Sequence, residues 1–464
     1  MLDLTRLPES ELSAFFARQP WFRPHGREGA AASVVEAAYV HTVPPLLAIA
    51  LVAVASERGL NEIYQLPLSL RPEGEPCSAD PIASADGWTA YDALSDPEAS
   101  AELIDSIRNA AVVRRDDAVI EFVPTGGPDA VPVPSGATLR AIGEGHSNSS
   151  VVYGEELVLK VYRLLSPGDN PEVELLQFLT RHGFANTPEL LGSYEHSGRL
   201  IDSTLGILTR FVPAELDGWA FALSSLARDP AVFVGALERL GEVIGSMHVT
   251  LASDSSDPAF AAEEPSSESY ALLAATLDEE IEAVFAHLPD DEVLAPIAGR
   301  GEEVRERVRQ LSRLSQSGRV IRHHGNLHLG DLLWTGGDWL ILDFEGAPER
   351  SFAERRRKHS PLRDVASMLR SIAYAASATE LTGGPPPPEG WEAAARARFL
   401  HGYFSAIEPS GLVPGGQAGA AELLAILELE KAVDEVRHEL AVRPEWASIP
   451  VAAIERLLAE PLGE

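Results

Sequence analysis

The segment from Arg322 to Gly346 holds the residues with the clearest capacity for chemistry. It reads Arg-His-His-Gly-Asn-Leu-His-Leu-Gly-Asp, an apolar run, a Thr-Gly-Gly-Asp turn, a second apolar run, and then Asp-Phe-Glu-Gly. Two apolar runs around a glycine turn predict a β-hairpin, which brings the residues before its first strand and after its second strand to one end. Four polar side chains should converge there: Asn326, Asp331, Asp343 and Glu345. The three carboxylates are ligands that Mg²⁺ takes together with nucleotide phosphates, so the sequence predicts a metal site.

Two other interpretations of this segment compete with the metal site. His324 and His328 have the spacing of a zinc pair on a helix, but Gly325 and Gly330 disfavour a helix there. The acids could also form a solvated hairpin end. A carboxylate that follows four apolar strand residues is unusual for mere surface, so the metal site is the preferred interpretation.

A second candidate region, residues 143–160, has the composition of a phosphate-binding loop followed by strands. Glycines let a loop backbone approach phosphate oxygens, and Ser and Asn add donors. The candidate loop residues are Ser147, Asn148 and Ser149. Lys160 lies on an apolar strand, where a lone cation needs a partner. A plain hairpin with an edge lysine is the alternative; the hydrolase G-x-S-x-G and Walker patterns do not fit.

A helix predicted just beyond the strand supplies the partner for Lys160. Glu174 is the first choice for the lysine–glutamate pair of a kinase, and Glu172 is the alternative.

Proline- and glycine-rich breaks at 124–136, 253–269 and 383–390 organise the chain. The predicted domains are a β-rich cap at 1–125, a strand-rich lobe at 136–213 and a helical lobe at 214–464. The predicted fold class is α+β, a bilobal protein-kinase-like fold with an N-terminal cap. Within the cap we expect helices near 10–18 and 97–111 and a buried strand over 46–55.

Composition narrows the choice of partners. The 464 residues carry 70 acidic against 37 basic side chains, a formal charge of −33 that disfavours nucleic acid as a partner. A single cysteine, Cys77, excludes an intrachain disulfide. The first twenty residues lack the apolar core of a signal peptide, and the longest apolar run falls short of the ~20 residues that span a membrane. We expect a cytoplasmic protein, a monomer that binds a small molecule and no membrane.

The motifs at 324–331 and 343–348 resemble the paired signatures of actinobacterial maltokinases and glucosamine kinases, which are relatives of the aminoglycoside phosphotransferases. Similar segments lie at 19–22, 64–68, 354–358, 360–371 and 399–404, so the resemblance covers essentially the whole chain. It implies ATP and Mg²⁺ as cofactors, with Lys160 contacting phosphates under a cover formed by Ser147 to Ser149. It also implies a hinge at Arg210 to Pro213, which includes Val212, and a brace of the catalytic loop by Asp364.

Two positions depart from the family pattern. The family has aspartate as catalytic base where this chain has Asn326, and usually glutamine where it has Asp331. Asparagine cannot accept a proton, and the loss of a general base costs ~10²- to 10⁴-fold in rate. Asp331 could accept the proton, although metal binding is its expected role. A weak kinase and a pseudokinase both remain open.

The segment 427–446 resembles the acceptor-binding helix of the family. The candidate substrate residues are Asp434, Glu435, His438, Glu439 and Trp446. Helical spacing predicts that Asp434, Glu435, His438 and Glu439 share one helix face with Lys431. A carboxylate on that face would pair with the amino group of an amino sugar. The hypothesis is glucosamine phosphorylated at its 6-hydroxyl. The alternatives are maltose giving maltose 1-phosphate, a nucleotide-binding regulator without turnover, and a merely salt-bridged helix face.

Overall fold

The computed structural model describes residues 2–22, 31–55, 61–133, 138–142, 148–310, 318–414 and 417–459. The chain divides into two compact units. The first unit consists of Met1–Thr180 and Pro188–Val212, and the second of Arg181–Thr187 and Pro213–Glu464. The main division, after Val212, falls inside the predicted hinge.

A five-stranded antiparallel sheet forms the beginning of the first unit. Its strands, in the spatial order β1-β2-β3-β5-β4, are β1 (Ala31–His41), β2 (Leu46–Ala55), β3 (Asn61–Pro72), β4 (Ala83–Ala85) and β5 (Trp88–Asp92). The strand predicted over 46–55 is confirmed, and it is buried along nearly its whole length because it is central and apolar on both faces. The predicted helices are α1 (Glu9–Arg18) and α2 (Pro97–Arg108).

A seven-stranded antiparallel sheet forms the rest of the first unit. Its spatial order is β6-β7-β11-β12-β10-β9-β8. The strands are β6 (Val112–Arg115), β7 (Ala118–Pro124), β8 (Leu139–Ile142), β9 (Asn148–Tyr153), β10 (Leu157–Tyr162), β11 (Leu190–Ser197) and β12 (Ser203–Arg210), and the helix is α3 (Pro171–Arg181). Strands β6 and β7 lie within the segment predicted as the cap, yet β7 pairs with β11. The boundaries at 125 and 136 stay a prediction.

Buried polar contacts join the two sheets of the first unit. The Gln65 side-chain amide of β3 donates to the carbonyls of Tyr162 (3.2 Å) and Leu205 (2.6 Å). The Arg163 guanidinium, itself buried, pairs with Asp92 at 2.5 Å. Because buried polar groups are costly unless they are satisfied, these contacts fix one relative position of the two sheets.

The second unit is mainly helical, as predicted. Its helices are α4 (Gly218–Arg228), α5 (Pro230–Leu251), α6 (Ser267–Ala286), α7 (Gly301–Arg309), α8 (Phe352–Arg355), α9 (Leu362–Leu381), α10 (Trp391–Ile407), α11 (Gln417–Val442) and α12 (Ser448–Ala459). A small sheet in the order β13-β14-β15 contains β13 (Leu216–Asp217), β14 (Leu332–Trp334) and β15 (Trp339–Ile341).

Helices α5 and α10 pack closely because glycines face each other. A methyl group on Gly241 would lie 2.1 Å from the Phe399 carbonyl oxygen, and one on Gly402 would lie 1.9 Å from that of Glu238. This approach holds α5 in place, and α5 carries a histidine of the site described below. Among the described residues, we find no helix that combines the length and apolarity needed to cross a membrane.

Candidate active site

An ion pair joins β10, an inner strand of the seven-stranded sheet, to α3. The Nζ atom of Lys160 lies 2.7 Å from Oε2 of Glu172, and the side chains are 14% and 4% exposed. The Tyr162 hydroxyl donates to the same oxygen at 2.7 Å. Asn170 accepts the Glu172 backbone N–H at 2.9 Å, which fixes the start of α3. Two donors on one carboxylate oxygen hold the lysine in a single place on the sheet.

The partner of Lys160 corrects the first choice made from sequence. We expected Glu174, and the structure pairs the lysine with Glu172, the alternative. Residues two apart on a helix point to nearly opposite sides. Only one of the two glutamates can therefore face the strand that carries Lys160. Glu172 is the buried one of the two, whereas Glu174 is partly exposed.

The other predicted nucleotide residues take varied positions. Ser147 lies outside the described residues. Asn148 and Ser149, predicted in a loop, begin β9, and the Ser149 hydroxyl accepts from Nε of Arg163 at 2.8 Å. At the end of β12, Arg210 pairs with Glu189 at 2.8 Å. The nucleotide roles of these residues and of Val212 stay predictions.

The predicted hairpin in the second unit is confirmed. The turn closes with Thr335 N–H donating to the Asp338 carbonyl at 3.0 Å, and β14 pairs with β15. At the open end, Leu342 N–H donates to the Asp331 carbonyl at 2.8 Å. The hairpin therefore brings the backbone of Asp331 next to the residue that precedes Asp343.

Asp343 and Glu345 form the acidic pair beyond the hairpin. Carboxylate oxygens of the two lie within 4.8 Å of each other, and both side chains are partly exposed. Asp343 has φ +65°, a left-handed conformation that is uncommon for a residue other than glycine and that clusters at functional sites. The Arg355 guanidinium donates to the carbonyls of Glu345 (3.3 Å) and Pro348 (2.8 Å) and so holds the following loop. Two close, accessible carboxylates suit a hard divalent cation.

Asp331 is placed differently from these two acids. It is buried at 5% exposure, and its carboxylate accepts the backbone N–H of His328 at 3.1 Å. The His328 ring nitrogen Nδ1 lies 3.4 Å from the same oxygen. Asp331 thus caps its own short helical turn, and its metal and catalytic roles stay predictions. Asn326, the predicted base position, is partly buried next to Gly325, which has φ +83°.

The loop that carries Asn326 is braced by a buried carboxylate at the start of α9. The two oxygens of Asp364 accept the backbone N–H groups of His324 (2.8 Å) and Gly325 (2.9 Å). The His324 ring in turn donates from Nε2 to the Leu342 carbonyl at 2.8 Å. The loop is therefore tied both to α9 and to the hairpin, which is the bracing that the resemblance implied for Asp364.

A buried relay from α5 and α10 supports Asp364. Nε2 of His248 lies 3.0 Å from the Asp364 carboxylate, and the Tyr403 hydroxyl lies 3.1 Å from Nδ1. Since the carboxylate only accepts, Nε2 carries the proton and Tyr403 donates to Nδ1. Sequence reasoning missed His248 and Tyr403; a histidine on the apolar face of a long helix was the available signal.

Electrostatics inside this cluster favour a charged Asp364. Burial alone would raise the pKa of Asp364, but His323 and the hydrogen bond from His248 outweigh it and hold the pKa well below its usual range. Burial lowers the pKa of His323 to about 4, partly offset by Asp364. The buried carboxylate of Asp364 on α9 is therefore within electrostatic reach of a buried histidine, His323, that is neutral near pH 7.

The predicted substrate residues, four on α11 and Trp446 just beyond its end, fall into two groups. Glu435 and Glu439 turn toward α9, where Glu435 pairs with buried Arg370 at 2.8 Å and Glu439 accepts from the Tyr374 hydroxyl at 2.9 Å. Trp446 stacks on Tyr374, with ring centroids 6.2 Å apart and planes at 19°. These three predicted residues are thus already engaged within the unit.

Asp434 and His438, by contrast, are exposed. Asp434 pairs with Arg437 and approaches Lys431 at 4.0 Å. The single charged face expected from spacing is therefore wrong in detail. With about 100° per residue, the predicted positions spread over a broad arc, one edge of which packs against α9.

An acid that sequence reasoning missed lies near Asp434. Burial, Glu430 and Asp434 together raise the pKa of Glu280 on α6, against the opposing effect of Arg350 and Arg437. Glu430 also pairs with Arg363 at 2.9 Å. Helices α6 and α11 thus place three carboxylates within electrostatic reach of one another, a surface we call the acidic patch (Glu280, Glu430, Asp434).

A strand lysine paired with a helix glutamate, and a hairpin with two acids behind a braced His-Gly-Asn loop, are the parts of a protein-kinase-like phosphotransferase. The chain belongs to the phosphotransferase enzyme family, whose model matches residues 138–412. The maltokinase N-terminal cap domain matches residues 15–96. The predicted family and the predicted enzyme class, a kinase of the maltokinase and glucosamine kinase group, are confirmed.

Individual relatives agree with this assignment. The chain is similar to a glucosamine kinase of Streptacidiphilus jiangxiensis, with 26% identity over 341 residues that cover 70% of this chain and 74% of the relative. A glucosamine kinase of Mycolicibacterium smegmatis is 29% identical over 337 residues, 69% of this chain and 80% of the relative. A solved glucosamine kinase, in complex with glucosamine, ADP and inorganic phosphate, matches with a TM-score of 0.68 at 19% identity and covers 98% of this chain and 99% of its own. The last match supports the predicted fold class, which is confirmed.

Proposed function

We propose that the chain is an ATP-dependent sugar kinase that phosphorylates glucosamine at its 6-hydroxyl. Two curated relatives are glucosamine kinases, and a structural neighbour with the same overall fold binds glucosamine and ADP. The observation in this chain that carries the choice of sugar is the exposed Asp434 carboxylate on the predicted acceptor helix, whose ion-pair partner Arg437 is itself exposed. A cationic amino sugar fits such a surface better than a neutral sugar does.

The residues of the chain divide the work of phosphate transfer. Lys160, held by Glu172, would bind the phosphates of ATP, and Asp343 and Glu345 would hold Mg²⁺. The bound cation supplies charge stabilisation on the transferred phosphoryl group. The braced loop would place Asn326 at the acceptor hydroxyl, where its amide can orient the hydroxyl by a hydrogen bond but cannot accept its proton.

A sugar panel tests the proposal. ATP consumption is measured with glucosamine, glucose and maltose, each with and without Mg²⁺. We expect turnover with glucosamine that requires Mg²⁺ and exceeds that with glucose. Equal turnover of glucosamine and glucose would remove the basis for an amino sugar, and no turnover with any sugar would contradict the kinase assignment.

Maltose is the second candidate acceptor, because the maltokinase N-terminal cap domain matches residues 15–96. The same panel decides between the two: preferential turnover of maltose, with the product phosphorylated at the anomeric hydroxyl, would favour this candidate.

The position of Asn326 defines a further experiment. If the transfer lacks a general base, Asn326→Asp should raise kcat for the accepted sugar by ~10²- to 10⁴-fold. The substitution is nearly isosteric, and the loop around it is fixed through Asp364 rather than through Asn326. An unchanged kcat, with nucleotide binding intact, would favour a nucleotide-binding role without turnover.

A further inference from the structure

A cavity of about 640 Å³ opens in the second unit, and none of the residues predicted to bind ATP, metal or acceptor is among its described lining residues. One wall is the segment 258–266 with the first turns of α6, and another is α11 at Leu423 and Leu427. A further part of the lining consists of residues 356–360, together with Arg322 and Arg363. Its size is that of a site for a small metabolite and far exceeds a single ion.

The lining of this cavity has the opposite charge to the protein as a whole. Five cationic side chains line it: Arg322, Arg356, Arg357, Lys358 and Arg363. Among the described lining residues there are two carboxylates, Glu263 and Glu264, so this part of the lining has a formal charge of +3 in a chain of −33. Such a local reversal concentrates anions from solution.

Two of these cations hold the wall of the cavity. Lys358 donates to the carbonyls of Pro258 and Ala261, at 2.7 and 2.8 Å, and pairs with Glu263, which fixes the segment 258–263. Arg363 pairs with Glu430 at 2.9 Å and ties the start of α9 to α11. The cavity is therefore framed by ion pairs and not by mobile surface chains alone.

The remaining lining keeps positive charge toward the cavity. The Arg357 side chain is exposed and has no ion-pair partner among the described residues. Arg322, only 2% exposed, lies over the Phe260 ring at 5.4 Å. Burial and the nearby Arg363 lower the pKa of His359 to about 2, with further contributions from Arg350 and Arg357. Burial is the main cause of this lowered pKa, and the arginines act in the same direction.

We propose that this cavity binds a phosphate monoester with a small polar body, at a site separate from that of the nucleotide. Arginine forks match phosphate oxygens in pairs, and two arginines that are consecutive in the sequence, Arg356 and Arg357, both line the cavity. Hydroxyls of Ser266, Ser269 and Ser360 and the apolar side chains of α11 supply contacts for the body of the ligand.

The test measures binding of glucose 6-phosphate to the full chain by calorimetry in the presence of saturating ADP. We expect binding that persists with ADP, exceeds that of inorganic phosphate, and weakens at least tenfold in Arg357→Gln. Arg356→Gln is a second variant and should weaken binding in the same direction. Arg199→Gln is the control, because Arg199 is 88% exposed and belongs to the first unit, whereas the cavity lies in the second. This variant should bind glucose 6-phosphate with the same affinity as the unchanged chain.

Each other result would overturn the proposal. Absence of binding at millimolar concentrations, displacement by ADP, or equal effects of Arg357→Gln and Arg199→Gln would exclude an anion site in this cavity. Equal affinity for inorganic phosphate and glucose 6-phosphate would exclude the assignment to an ester. The assay involves neither turnover nor glucosamine, so its failure is independent of the proposed kinase reaction.

Discussion

Two regions of the second unit, the braced loop at 324–331 and the charged side of α11, are built on opposite principles. The loop takes its shape from two backbone N–H groups donating to one buried carboxylate, Asp364. The side of α11 takes its charge pattern from side-chain pairs, some buried, such as Glu435 with Arg370, and some exposed, such as Asp434 with Arg437. Backbone anchoring by a buried acid tolerates little change, whereas exposed pairs contribute little and can re-form with a ligand.

This difference suggests a division of roles, in which the braced loop serves phosphate transfer and the exposed side of α11 serves the choice of sugar. The braced loop and the hairpin supply parts that any phosphotransferase of this fold needs. The exposed acids of α11 face solvent, where a substrate can replace an arginine as their partner. We therefore expect substitutions in the first region to reduce kcat and those on α11 to change discrimination between sugars.

The largest effect is expected from Asp343→Asn, which removes one of the two close carboxylates beyond the hairpin. Loss of a metal ligand should lower kcat by about 10³-fold, since the cation supplies several kcal/mol of transition-state stabilisation. The measurement is kcat over a range of Mg²⁺ concentrations. Glu349→Gln, an exposed acid of the same loop, is the matched control and should leave kcat unchanged. Equal activity of the two variants would remove Asp343 from the metal site.

Asp364→Asn should come next, with kcat reduced by about 10²-fold. The amide oxygen of asparagine can still accept one of the two backbone N–H groups. The amide NH₂ group would face the other N–H and cannot accept it, so the loop loses one of its two anchoring hydrogen bonds. The buried relay loses its charge as well, and we expect about 3 kcal/mol less stability. Tyr403→Phe removes only the outer hydrogen bond to His248 and should cost about 1 kcal/mol with kcat nearly intact. Equal losses in both variants would argue against a specific brace.

The same contrast explains what could be predicted from sequence. The hairpin, with its glycine turn between apolar runs, was predicted correctly because local periodicity determines it. The buried strand at 46–55 followed from its length and composition. Asp364 was reached through the family resemblance, and its hydrogen bonds agree with the implied role.

The incorrect details depended on contacts across the fold. Glu172 replaced Glu174 because only the packing of α3 decides which acid faces Lys160. Asp331 also accepts the His328 backbone N–H, a local bond that was not predicted, and its metal and catalytic roles stay predictions. Glu435 and Glu439 face α9 because their partners lie there, Arg370 for Glu435 and Tyr374 for Glu439. Each partner is 65 residues earlier in the sequence.

A third prediction concerns the acid sensitivity of His323, which immediately precedes the braced loop. His323 has a folded pKa of about 4 against an ordinary value of 6.5, so the unfolded chain binds a proton first as pH falls. Stability from keeping His323 neutral is complete above pH 6.5 and is lost between pH 6.5 and 4. We expect this residue to account for about 3 kcal/mol of that loss.

Chemical denaturation at pH 7 and pH 5 checks this prediction. His323→Gln should show a smaller loss of stability between the two pH values than the unchanged chain. His287→Gln, at an exposed helix end, is the control and should behave like the unchanged chain. An identical pH dependence in all three proteins would contradict the assignment of the loss to His323.

The smallest effect is expected on α11, and it is the one that bears on the substrate. Asp434→Asn should raise KM for glucosamine about fivefold, because an exposed charge-assisted contact contributes about 1 kcal/mol, and should leave KM for glucose unchanged. Glu445→Gln, an exposed acid beyond the end of α11, is the matched control. The ratio of the two KM values matters more than either alone, since a general disturbance of α11 would raise both. If Asp434→Asn raised KM for both sugars equally, the acidic patch would be structural, and the amino-sugar assignment would have to rest on relatives alone.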